Sequence, residues 1–171
     1  MRARATSFGF LMVMSLGLAA CSSGGASQSS PPTSVKSSTT TQISVANAGA
    51  QYLAAVAPVN SAISSFSSAE NNWTSSTTGA QAESDAQPLI ASLKTLDTTL
   101  TDAQWPAAAT SDVHTLIGNL GSVIGDLRSL TNVNVLDISS FSTTYERDLQ
   151  TLATSVALVR HDLGLPASTG G

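Results

Sequence analysis

The chain has a single cysteine in 171 residues. No disulfide can close within it, and zinc sites built from paired cysteines are excluded as well. Charge is also scarce: only 11% of residues are Asp, Glu, Lys or Arg, and acids outnumber bases 11 to 7. A surplus of carboxylates repels nucleic-acid phosphates, so no nucleic-acid partner is expected. The catalytic patterns are missing too. A di-iron site in a helical protein needs Glu-x-x-His, but the residues three after Glu70, Glu83 and Glu146 are Trp73, Ala86 and Leu149. There is no His-Glu-x-x-His, no Gly-x-Ser-x-Gly elbow and no phosphate loop. The expectation is a non-enzyme with no catalytic residue, metal ligand set or cofactor site. Apart from Phe8 to Leu18 no long apolar run occurs, and that one, about ten residues, is too short to span a bilayer.

What is present begins at the leader. Arg2 and Arg4 precede the apolar run, and the small residues Ala19 and Ala20 follow it, the architecture of an export signal. Leu18-Ala19-Ala20-Cys21 closes this stretch and resembles the lipobox of bacterial lipoproteins. The resemblance implies cleavage before Cys21, a diacylglyceryl group on its thiol, and anchoring to the outer face of the cell membrane. Removing residues 1–20 leaves five basic residues against eleven acidic ones. Attachment must then come from acyl chains rather than a basic patch, and two chains suffice for a stable anchor.

Residues 21–42 read as a disordered tether. Val35 is the only sizeable apolar residue among Ser, Thr, Gly, Gln and Pro, too little to offset the entropy of ordering the backbone. About twenty residues of such chain span about 25 Å on average. The domain expected beyond it covers residues 43–166, with a disordered tail over 167–171.

The periodicity of that domain is helical. Leu53, Val56, Ile63 and Phe66 share one face of a first helix over 43–68. Pro58 lies inside it and is expected to kink or interrupt it, freeing the Ala54 carbonyl. A polar connection over 69–79 contains Trp73. The second helix begins either at Thr78, which has capping-box spacing to Gln81, or near Asp85 with Pro88 in its first turn. Its stripe is Leu89, Ile90, Leu93, Leu96 and Leu100, and it ends near Ala103.

Trp105-Pro106 breaks the chain, with Pro106 suited to the first position of a third helix. The third stripe runs Val113, Leu116, Ile117, Leu120, Ile124, Leu127, Leu130. A turn over 131–134 and a cap at Asp137 introduce a fourth helix carrying Ile138, Phe141, Tyr145, Leu149, Leu152, Val156, Val159 and Leu163. Gly164 and Pro166 stop it. The fold class expected is all-α, an antiparallel four-helix bundle.

Tyr52 to Asn60, Trp105-Pro106, and Val159 to Pro166 together give a pattern that resembles uncharacterised lipoproteins of actinobacteria, mycobacteria among them. The resemblance covers most of the chain after the leader and implies no activity. Candidate groove or partner contacts come from the residues themselves. Pro58 is one. Gly121 and Gly125, one helical turn apart, each disfavour helix by about 1 kcal/mol against Ala, so close packing on a neighbouring helix is expected to compensate. Trp73 and Trp105 sit at connections, either covering the bundle ends or offering an aromatic contact. A reversal near residue 134 would place His114 level with about residue 154 and away from His161, so no histidine pair is expected. Two functions fit: an interaction or structural module with an envelope protein as partner, or a carrier for an apolar molecule or lipid.

Overall fold

In a computed structural model, residues 43–133 and 138–168 are described. Four α-helices account for most of them: α1 Val45–Glu70, α2 Gly79–Asp102, α3 Ala107–Ser129 and α4 Ile138–Asp162, with a single 3-10 turn, Leu130–Asn132, after α3. No strand occurs among the described residues, so the fold is all-helical. None of these helices is long and apolar enough to cross a membrane.

A capping side chain starts each of the first two helices. Ser44 Oγ accepts the Asn47 amide at 3.2 Å, which places the start of α1 just past the expected residue 43. Thr78 Oγ1 accepts the Gln81 amide at 3.2 Å. The Gln81 side chain does not return to Thr78 but donates to Asp85 Oδ1 at 3.0 Å. The cap therefore selects Thr78 over a start near Asp85, and Pro88 lies well inside α2. Pro106 is the residue before α3 rather than its first, and its carbonyl accepts the amides of Ala109 and Thr110 at 2.9 and 3.2 Å.

Pro58 does not interrupt α1, which runs through it as one helix with the ring exposed. The expected stripe on α1 is also displaced. Ala48, Tyr52, Val56, Val59, Ala62 and Phe66 are buried, whereas Leu53 and Ile63 are half-buried. Tyr52 and Val59 face the core because the small residues Ala48 and Ala62 continue their row.

Many outward helical positions carry Ser or Thr, poor helix formers because their hydroxyls compete for backbone groups. Here the competition is resolved within the helix. Ser64, Ser68, Thr95, Thr99, Thr101, Thr115 and Thr151, among others, donate to the carbonyl four residues back.

Consecutive helices pack closely, while few Cα atoms of α1 and α4 approach within 8 Å. Large side chains bridge that wider seam, Phe66 meeting Tyr145 edge-on at 6.5 Å. On the α4 side Tyr145, Leu149, Leu152 and Val156 stay half-buried, against the fully buried stripes of α2 and α3. Between α3 and α4, Asn119 Nδ2 donates to the buried Ser155 Oγ, and the carboxyl groups of Asp126 and Asp148 lie close together. Seven residues forward on α3 match seven back on α4, so these two helices run antiparallel. In this register residue 119 lies level with 155 and 126 with 148, about six residues further along α4 than a reversal at 134 would set, and the 3-10 turn Leu130–Asn132 continues α3 beyond Ser129. Asp137, the expected cap, lies outside the described residues.

The end of α4 meets its expected stop signal. Gly164 adopts φ 61°, the left-handed conformation that glycine takes without a Cβ clash. Its amide donates to the His161 carbonyl at 3.0 Å and the Leu165 amide to the Arg160 carbonyl at 2.8 Å, a Schellman motif. This turn sends Leu165 across the start of α1, where a Cβ on Gly49 would lie 3.2 Å from Leu165 Cδ2.

Candidate functional site

Apart from the Asn119–Ser155 pair between α3 and α4, polar groups inside the fold collect at its two ends. Where α1 finishes and α2 begins, four aromatic rings form a chain. Phe66 meets Trp73 edge-on at 5.7 Å and Tyr145 in the same manner, and Tyr145 stacks on Phe141 at 5.3 Å. Trp73 Nε1 donates to Asp85 Oδ2 at 2.9 Å, so the indole closes this end with its N–H satisfied. Trp105 does the same at the opposite connection, donating to the Leu100 carbonyl at 2.8 Å. Both tryptophans are half-buried, the end-covering arrangement rather than free aromatic contacts.

Carboxylates surround the aromatic chain. Burial, then the charge of Glu146, pushes the Glu70 carboxyl above its ordinary range. Asp126 is raised by burial, then by the nearby Asp148 carboxylate, with Arg147 opposing. Arg147 Nε is 2.9 Å from Asp148 Oδ1. The Tyr145 hydroxyl is raised by burial, then by Glu70 and Asp126. Glu70 ends α1 and Asp126 lies in the last turn of α3, positions where the helix dipole already presents negative charge.

These shifts fix a pH dependence. Unfolded carboxyls titrate near pH 4, and below that both states are protonated and the full stability is present. As pH rises from there through the higher folded pKa values, the unfolded chain has already released its protons, so stability is lost; above them the penalty is constant. The melting temperature is therefore expected to be higher at pH 5 than at pH 7. Asp126→Asn should raise it at pH 7 and shrink the difference, as thermal melts followed by circular dichroism would read.

At the opposite end Tyr52 is wholly buried, and its hydroxyl has no hydrogen-bond partner among the described residues. Burial pushes it up to about 12, with the positive charge of Arg160 pulling the other way. Arg160 is buried on α4, and its Nε donates to the Pro166 carbonyl at 2.8 Å. Periodicity alone pointed to neither residue. The usable signals were the spacing of Tyr52 from Ala48, Val56 and Val59, and the place of Arg160 beside Val159 on the α4 stripe.

The other sequence candidates do not converge. Gly121 and Gly125 are exposed, as is Gly118, and a Cβ on any of them would meet nothing within 4 Å. Tight packing on a neighbouring helix in this chain is thus not their compensation; they face outward because Leu120, Val123, Ile124 and Leu127 take the inward positions. Pro58 also faces outward, on a different helix, so it lines no groove with them. The observed α3–α4 pairing places His114 level with about residue 160, closer to His161 than the turn length suggested. Both rings are exposed, and His161 Nδ1 lies 3.2 Å from Asp162 Oδ1. No group of three or more candidate metal ligands exists among the described residues. Cys21 lies outside them.

No family model, curated protein or solved structure matches the chain.

Proposed function

We propose that this chain is an exported lipoprotein, of the kind its resemblance to small actinobacterial lipoproteins implies, acylated on Cys21 and held on the outer face of the cell membrane. Beyond the tether, an antiparallel four-helix bundle serves as a small interaction or structural module of the envelope. The observation that carries this reading is Leu18-Ala19-Ala20-Cys21 at the end of an apolar run, with arginines before it and a Ser/Thr-rich stretch after it. An acyl anchor needs no basic surface, in keeping with the acidic balance of the chain.

Expressed in an actinobacterial host, the full chain should incorporate labelled fatty acid and partition into detergent. Cys21→Ser should abolish both. A serine variant that stays membrane-bound, or a chain cut at another position, would overturn the proposal.

One observation favours the alternative, a carrier for an apolar molecule. The α1–α4 seam keeps its backbones apart and leaves Leu149, Leu152 and Val156 half-buried. A carrier would show, in native mass spectrometry, a reproducible added mass that disappears on denaturation. A bare mass would leave the interaction module ahead.

A further inference from the structure

Tyr52 and Arg160 present an imbalance that the fold does not resolve by itself. Arginine stays protonated at any ordinary pH, and Arg160 is only 8% exposed. Among the described residues its hydrogen bond goes to a neutral carbonyl, that of Pro166, and no ion pair involves it. Its stem is buried, but its two terminal nitrogens reach solvent with no protein partner among the described residues, which leaves them free to donate to an anion. The Tyr52 hydroxyl, on a residue 0% exposed, has no hydrogen-bond partner among the described residues, itself an unfavourable state for a buried donor.

The backbone places the two together. Gly49 lies 3.5 Å (as a Cβ would) from the Leu163 carbonyl and under Leu165. Tyr52 follows Gly49 by one turn of α1, and Arg160 precedes Leu163 by one turn of α4. Both groups donate, and neither has a negative partner among the described residues. The Leu165-Pro166 segment, outside any helix, adjoins both elements: Leu165 lies against Gly49 and the Pro166 carbonyl accepts from Arg160 Nε. The two exposed large apolar residues among those described, Val45 and Leu158, lie at this same end, where the chain from residue 42 enters.

We propose that Arg160 and Tyr52 form an oxyanion-binding site at this end of the fold, opened when the Leu165-Pro166 strap lifts and the guanidinium exchanges the Pro166 carbonyl for a phosphate-type oxygen. The planar guanidinium fork accepts two such oxygens side by side, and the tyrosine hydroxyl donates a further hydrogen bond. The same chemistry is offered by a soluble phosphate and by the headgroup of an anionic lipid.

The test uses the full chain carrying Cys21→Ser, so that no acyl anchor contributes and the outcome is independent of the lipoprotein reading. Inorganic phosphate should raise its melting temperature beyond chloride of matched ionic strength. Tyr52→Phe removes only the unpartnered hydroxyl, so the variant should fold, and it should weaken the apparent phosphate affinity at least about tenfold. Arg160→Gln should abolish the response. Cosedimentation with phosphatidylglycerol vesicles that is lost in both variants would assign the oxyanion to lipid, and a response to inorganic phosphate alone would assign it to a soluble ligand. Phosphate also stabilises proteins generally by exclusion from their surfaces, an effect that Tyr52→Phe would keep in full. That result, or no response to either probe, would overturn the site.

Discussion

Gly79→Ala is expected to destabilise the fold by about 3 kcal/mol, the upper part of the range for overpacking. A Cβ there would lie 2.5 Å from the Leu130 carbonyl oxygen, 2.8 Å from that of Val133 and 2.9 Å from that of Thr131. All three neighbours are backbone, held by the 3-10 turn in which the Val133 amide donates to the Leu130 carbonyl, so none can swing aside as a side chain would. The start of α2 and the turn after α3 are thereby obliged to separate. Chemical denaturation read by circular dichroism would measure the loss, with Gly49→Ala as the comparison. The nearest atom at Gly49 is the tip of the Leu165 side chain, 3.2 Å away, which can rotate, so that variant should stay within about 1 kcal/mol of the parent. Equal effects at the two positions would show that the turn carbonyls do not constrain Gly79.

Replacing Gly118, Gly121 and Gly125 together by alanine should act in the opposite direction. Each is a helical glycine with open space where a Cβ would stand, and each exchange favours helix by up to about 1 kcal/mol, largely by narrowing the unfolded ensemble. A gain of about 2–3 kcal/mol is expected for the triple variant. With about 3–6 °C per kcal/mol for a domain of this size, the melting temperature should rise by roughly 10 °C. No change, or a loss, would mean that α3 is not helical at these positions in solution or that its outward face is covered. Because no core contact of this chain explains the glycines, the variant also separates the stability of α3 from whatever its outward surface does.

Much of the secondary structure was legible in the sequence. The stripes of α2 and α3 are long rows of Leu, Ile and Val at threes and fours; that of α2 is buried as written, and that of α3 is buried except for the half-buried Ile117, with Val123 inward as well. The glycine stop of α4 was equally plain, because a residue without Cβ followed by proline has few other uses. α1 was harder. Its inward row mixes Ala48, Tyr52 and Ala62 with Val56, Val59 and Phe66, and a reading weighted by side-chain size moved toward Leu53 and Ile63 instead. The two ends of the fold were least legible. Glu70 with Glu146, Asp126 with Asp148, and Tyr52 with Arg160 are pairs distant in the chain, and their local neighbourhoods look like ordinary solvated polar positions.

The sequence by itself determined where the helices lie, because periodicity, caps and stops act within a few residues of each other. It also carries the Leu18-Ala19-Ala20-Cys21 motif on which the export proposal rests, a local pattern that does not depend on folding. Only the tertiary structure decided which face of α1 turns inward, the register of α3 on α4, and the outward orientation of the α3 glycines. It alone brought Arg160 and the buried Tyr52 hydroxyl to one end of the fold. Those outcomes depend on how helices dock, and docking is set by the sum of many small contacts between residues far apart in the chain, which no local pattern records.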